Sequence, residues 1–492
     1  MNRFKLSLLT ASLLLTTNVY AEDSKVEKVQ PKRVLAGNMN VTYKVKPQEV
    51  DSFYDMFAEG ITYGRLRMNA FLWDWVNEKD GSRKDNNALG LGGSLIFKTG
   101  VLNGFSATAG LYTSQNPFYR MDREDAGYIK AGKDTLSRDK VKTSGEFGIT
   151  SLAQAYLEYN LDSKVKIRAG RQLFHTVFTK SNDTKMIPNS FDGISAESKT
   201  IDKTTVKLAI FTAQKLRDHI NSHDVITFKD KDGDSWQNND DSAIHKGLSY
   251  QNFKANGEDT DHSLLIATAR NKSIKNLDAT VSYLAVPDVL SNLTFEGHYK
   301  IRVNDKWTFT PGARYMMQMD DGGGKVGGAA LSGNVSDSNS GGYSDPDSLD
   351  SSLLAVRGVL KSNDNISKLL VGYSEISDDA DIVAPWRGFP TGGYTRAMAQ
   401  YNWKANTKSY MVQGTYNFGK AGMLEGFRAS LRYAMMDFDE DKGYTDRDIW
   451  HLDMWKTFAS IPNFETKVRF ATITDDGESD YNEYRLEFNY LF

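Results

Sequence analysis

The chain has no cysteine. Disulfide bridges, thiolate metal centres and cysteine nucleophiles are excluded together. It also lacks an apolar run long enough to cross a bilayer as a helix, which takes about 20 residues. The longest candidate, Leu6 to Thr17, falls well short. Mean hydropathy is −0.50, a value usual for water-soluble proteins. A chain of 492 residues would ordinarily break into several domains, yet no composition shift marks a boundary. No serine motif suited to nucleophilic catalysis accompanies the histidines. One architecture fits all of these absences: a membrane barrel, in which only half of each strand meets lipid.

The first 21 residues read as a secretory signal peptide. Arg3 and Lys5 are its positive region, Leu6 to Thr17 its apolar run, and Val19-Tyr20-Ala21 its small-residue cleavage site. Removing it takes two positive charges away and moves the formal charge from −3 to −5. Residues 22–59 form a mixed, charged lead-in, expected as a loose periplasmic extension. From residue 60 to 492 one pattern repeats.

That pattern is strand, connector, strand. Eighteen strands are expected: 60–75, 87–97, 105–115, 149–161, 165–174, 192–201, 204–214, 262–271, 277–286, 291–303, 306–319, 351–361, 367–377, 408–418, 426–438, 449–459, 463–474 and 483–492. In 306–319, Trp307, Phe309, Ala313, Tyr315 and Met317 oppose Thr308, Thr310, Arg314 and Gln318, the period of two of a half-buried strand. Short connectors carry turn residues, such as Asp162-Ser163-Lys164 and Asn304-Asp305. The long ones, 116–148, 215–261, 320–350 and 378–407, are polar and glycine-rich. Sorting connectors into short and long by parity is the signature of an antiparallel transmembrane β-barrel with both ends periplasmic. The chain is therefore expected to be all-β, a barrel of about eighteen strands.

The last ten residues agree. Tyr484, Leu486, Phe488, Tyr490 and Phe492 form an apolar, aromatic face, and Arg485, Glu487, Asn489 and Leu491 the other. Ten tilted residues suffice to cross a bilayer as a strand. This ending resembles the assembly signal of outer-membrane barrels, which implies the barrel-assembly machinery as a partner, alongside outer-membrane lipid.

Closure brings strands seventeen, eighteen and one together. The inward parity then holds Lys467 and Arg469, Arg485, and Arg65 and Arg67, with Arg428 and Arg432 on strand fifteen. Lys166 and Arg168 face inward on strand five. Such a row focuses a positive potential in a narrow lumen and attracts anions even in a net negative protein. The bland alternative is that any wet lumen needs polar lining.

After strand five comes GRQLFHTVFTKSNDTKMIPNSFDG, Gly170 to Gly193, with Lys185-Met186-Ile187-Pro188-Asn189-Ser190-Phe191-Asp192-Gly193 at its end. This segment, the strand pair before it and the closing strands 449–492 resemble the OprD-type family of bacterial outer-membrane porins. The resemblance implies a substrate-selective channel of eighteen strands whose third extracellular loop folds inward. It implies a basic ladder that leads small carboxylate-bearing solutes through the pore. The ladder role carries to Arg469 and Arg485, and further to Lys467, Arg65, Arg67 and Arg171. Asp183 and Lys185 join the expected lining. The family often has arginine where this chain has Lys185, and lysine is a point charge without the planar fork.

In the fourth loop Asp230, Asp232, Asp234 and Asp241 take the oxygen-ligand spacing of a calcium loop. Ser235 stands where glycine is wanted, Asp241 where glutamate is wanted, and no helices flank the run. No other cofactor is expected, and no nucleic acid. The barrel is expected as a monomer or a loose homotrimer. Rival readings are a non-selective diffusion porin, an adhesin or scaffold using the long loops, and a barrel enzyme built on the inward pair Glu296 and His298.

Overall fold

The computed structural model describes residues 33–35, 39–181, 185–227, 245–333, 341–398, 402–477 and 479–492. Eighteen strands close into one antiparallel barrel. They are β1 Ile61–Trp75, β2 Asn86–Lys98, β3 Phe105–Gln115, β4 Gly148–Leu161, β5 Val165–Gln172, β6 Ser190–Ser198, β7 Thr204–Lys215, β8 Leu264–Asn271 and β9 Leu277–Val286. Strand β10 is Leu290–Tyr299, continued after Lys300 by Ile301–Arg302. Then come β11 Trp307–Asp320, β12 Ser351–Ser362, β13 Ser367–Ile376, β14 Lys408–Asn417, β15 Phe427–Asp437, β16 Arg447–Phe458, β17 Ile461–Asp475 and β18 Tyr481–Leu491. Every expected strand is present, with ends displaced by three residues or fewer.

The seam is made by β18 and β1. Tyr481 pairs with Trp75 at one end and Leu491 with Arg65 at the other. Beyond it, Gly64 and Phe492 exchange backbone hydrogen bonds of 3.0 and 3.2 Å. Among the described residues the barrel sheet has no open edge, which is what allows a polar backbone to sit in hydrocarbon. The outer surface is apolar: Leu157, Ile194 and Ile210 are more than half exposed. On β18, the even residues from Tyr484 to Tyr490 take the lipid side, as their alternation predicts.

The connectors on the periplasmic side are short turns. Those on the other side include the long loops, which fold into the barrel and build its largest apolar core. Inward-facing Leu284, Met316 and Leu353 pack there with Phe178, Ile382, Val383 and Trp386 from the loops. The Trp386 indole donates to the Val225 carbonyl at 2.8 Å and ties the seventh loop to the fourth. Gly388 lies so close to the Phe178 carbonyl that a Cβ would collide with it, so the seventh loop needs glycine where it crosses the third.

The amino-terminal extension departs from expectation. Its helix α1, Phe53–Ala58, sits at the periplasmic rim, capped by the Ser52 hydroxyl, which accepts from Asp55 N at 3.1 Å. Val50 and Val101 exchange backbone bonds with this rim segment, Val50 N to Val101 O and Val101 N to Gln48 O. Upstream, however, Val41–Tyr43 pairs with Arg33–Leu35, and Val41 packs on Tyr63, Ile96 and Tyr112, all on the lumen parity of β1 to β3. This stretch lies inside the barrel and not loose in the periplasm.

Side-chain parity makes a sharp expectation. Val371, half exposed in mid-strand, faces lipid, while Thr415 on the neighbouring strand faces the lumen beside Lys368. Val371→Lys should destabilise the barrel by about 2–4 kcal/mol, the cost of a cation at bilayer mid-depth. Thr415→Lys should cost far less. Urea unfolding in lipid vesicles, followed by heat-dependent gel mobility, measures both; equal losses would contradict the assigned faces.

Candidate functional site

The lumen wall opposite the main loop core carries the charges. Arg469 on β17 stands across from Arg485 on β18, and Lys467 across from Glu487. Arg485 is level with Phe71 of β1, and Arg67 with Asn489. On the other flank Asp453 of β16 faces Arg469, and β15 sets Arg428 beside Trp455 and Arg432 beside His451. The expected inward set is thus assembled on five adjacent strands.

What the cation pattern alone did not reveal is the carboxylates between them. Asp453 accepts from Arg469 Nε at 2.7 Å and lies 3.7 Å from Lys467 Nζ. Arg67 donates to Glu487 at 2.9 Å, and Arg485 Nε to Glu483. Two arginines directly opposite one another on antiparallel strands repel; Asp453 holds the Arg469 guanidinium from the neighbouring strand β16, and Glu483 holds that of Arg485 along its own strand. Each pair uses Nε. Among the described residues, Arg485 has no partner on its two terminal nitrogens, and Arg469 has only the His451 ring at 3.5 Å. Planar forks remain for an incoming carboxylate. These acids sit at inward parity and were readable from alternation on β16 and β18.

The other expected residues divide. Lys166 and Arg168 face inward near the periplasmic end, with Glu158 at 3.8 and 2.6 Å. Arg65 faces inward and donates to Asn489 at 3.3 Å. Arg428 stacks on Trp455, 4.1 Å from the ring centre. Arg432 is a tether: it donates to the Arg396 carbonyl at 2.7 Å. Arg357 holds Gly393 at 2.6 Å in the same way and Arg314 holds Pro390, so three lumen arginines fasten the seventh loop. Arg171 is a correction. It shares the lipid-side parity of Ile167 and Ala169, pairs with Asp192 at 2.7 and 2.8 Å, and does not line the lumen. Asp183 and the aspartates 230, 232, 234 and 241 lie outside the described residues.

Lys185 is no free pore cation either. Its ammonium is buried, donates to the Ala131 carbonyl and lies 3.7 Å from Asp134. Burial pushes it down to about 7, against the pull of Asp134. Asp134 is fully buried and also faces Arg217 at 2.5 Å and Arg387 at 3.7 Å. Burial alone would raise its carboxyl; the surrounding cations hold it well below the usual range. One carboxylate therefore joins the second, third, fourth and seventh extracellular loops. The sequence does not show it because Asp134 and its three partners lie on four separate loops. The pair Glu296 and His298, 2.7 Å apart, is likewise engaged, since Arg314 holds the same carboxylate.

A profile for outer membrane porins of the OprD family matches residues 159–492. No curated protein matches. Among solved structures, OpdK of Pseudomonas aeruginosa with vanillate aligns with TM-score 0.63 at 14% identity over 88% of this chain and 98% of its own. OpdQ of the same organism aligns with TM-score 0.63 at 17% identity over 89% and 99%. OccAB3 of Acinetobacter baumannii gives TM-score 0.67 at 16% identity over 88% and 99%. These share the fold.

Asp134→Asn should remove one shared negative charge from beside three buried cations. Losing one partner of a buried pair costs about 3–5 kcal/mol, here against loop docking and not barrel closure. Hydrogen exchange should quicken across 129–138 and 385–397 while heat-dependent gel mobility stays unchanged. Unaltered protection in both loops would show that Asp134 does not hold them.

Proposed function

Because the chain belongs to the OprD family of outer-membrane porins, and so passes small solutes through a barrel in the bacterial outer membrane, we propose that its solutes are small carboxylates drawn along the wall from Arg67 to Arg432. The observation that carries this reading is the side-by-side pair Arg469 and Arg485, each clamped by a carboxylate through Nε, with only a 3.5 Å approach to the His451 ring at a terminal nitrogen of Arg469. Cations outnumber carboxylates on this wall, so its field remains positive. The interleaved acids serve the transport. A naked arginine row would hold a carboxylate too long, whereas Asp453, Glu483 and Glu487 offset part of the positive charge beside it and let it move on. Conduction needs sites that are attractive and also weak. The vanillate in the OpdK structure belongs to that protein, and agrees in chemical class with what this wall would take.

The wall acts over distances near the Debye length, about 8 Å at physiological salt. Arg469→Glu should shift the reversal potential toward cations, slow benzoate more than a neutral solute of equal size, and lose part of its effect at high salt. Asp453→Asn should act the other way on affinity: stronger current block by benzoate and slower release. Planar-bilayer recordings of both variants read these effects. If Arg469→Glu slows neutral and anionic solutes alike, the row is lining without preference.

A further inference from the structure

Part of the amino-terminal extension is enclosed within the barrel. Asn40 and Val41 are 4% and 6% exposed, unusual for a lead-in segment. Val41 is packed with Tyr63, Ile96, Tyr112 and Leu491 of the barrel wall, and with Met186 and Ile187 of the third loop. The Asn40 amide donates to the Ser181 carbonyl of that same loop at 2.8 Å. Tyr43 stacks on Tyr63 with ring centres 5.5 Å apart, and Arg33 lies over the Tyr43 ring at 5.5 Å. From Gln48 to Val50 the chain is fastened to the rim by its bonds with Val101.

We propose that Asn40–Tyr43 is a resident part of the channel, a strap that narrows the lumen beneath the third loop and sets the largest solute that passes. Three features support this. The strap is wedged between the wall and the third loop, so it occupies lumen cross-section. Its apolar side faces the wall through Val41, and the side of Thr42 is exposed, toward the passage. It is also fixed at two levels, by Asn40 on the loop and by Val50 at the rim, so it does not drift out with thermal motion. The wall it lies against begins at Tyr63, next to Arg65 and Arg67, so solutes leaving the basic row pass beside it.

Two arms test this. The first is a mature chain begun at Lys44, which keeps the rim contacts and α1. Single-channel conductance should rise about twofold or more, because conductance follows the narrowest section. Liposome swelling should show raffinose entering at a larger fraction of the arabinose rate. The second arm keeps the full chain. Thr42→Cys introduces the only thiol, and a methanethiosulfonate carrying trimethylammonium, added from the periplasmic side, should reduce the current. An assembled, heat-modifiable truncated barrel with unchanged conductance and size cut-off would overturn the proposal. So would labelling of Thr42→Cys without loss of current, and this second arm decides alone if the truncated chain does not assemble. Neither arm reads ion preference, so failure here leaves the carboxylate reading standing.

Discussion

Everything in this protein depends on one constraint: a backbone in hydrocarbon must find all of its hydrogen-bond partners within the protein. The seam between β18 and β1 meets it. Once Tyr481 to Leu491 are zipped onto Arg65 to Trp75, the alternation of side chains is locked around the whole circumference, because a slip of one residue would turn every lipid face inward. Closure therefore fixes more than the fold. It decides that Arg485 comes level with Phe71 and Arg67 with Asn489, so that five neighbouring strands bring their charges to one wall.

Inside the barrel the usual order of a membrane protein is reversed. The apolar core lies at one end of the lumen, between inward strand residues and the long loops, and charged groups on the wall do the fastening. Arg314, Arg357 and Arg432 grip the backbone of the seventh loop. Asp134, at the meeting of four loops, is balanced by cations from three of them. Lumen arginines thus divide into those that hold loops and those for which the proposed reading gives a role toward solute. The distinction lies in whether the terminal nitrogens are spent on carbonyls. Arg432 spends one in this way; Arg485 does not.

Much of this was legible in the sequence. Alternation located all eighteen strands and the facing of Lys467, Arg469, Arg428 and Glu296, because each lies in a long, regular stretch where period two cannot be mistaken. Arg171 went astray although parity was available: it lies three positions after Arg168, which turns it to the other face of the same strand. Lys185 could not have been placed, since its burial depends on where the second loop comes to rest. The lumen position of Val41 was hidden for a similar reason. Three residues of strand have no periodicity to read, and their partners, Tyr63, Ile96 and Met186, are scattered along the chain.

On the function proposed here, the lumen wall carries a net positive field despite the negative charge of the whole chain. The reversal potential of the unaltered protein in a planar bilayer under a potassium chloride gradient tests it most directly, taken once at low and once at high mean salt. The account predicts a potential of anion-selective sign that shrinks at high salt, as screening shortens the reach of the wall. A cation-selective potential, or none at low salt, would contradict it.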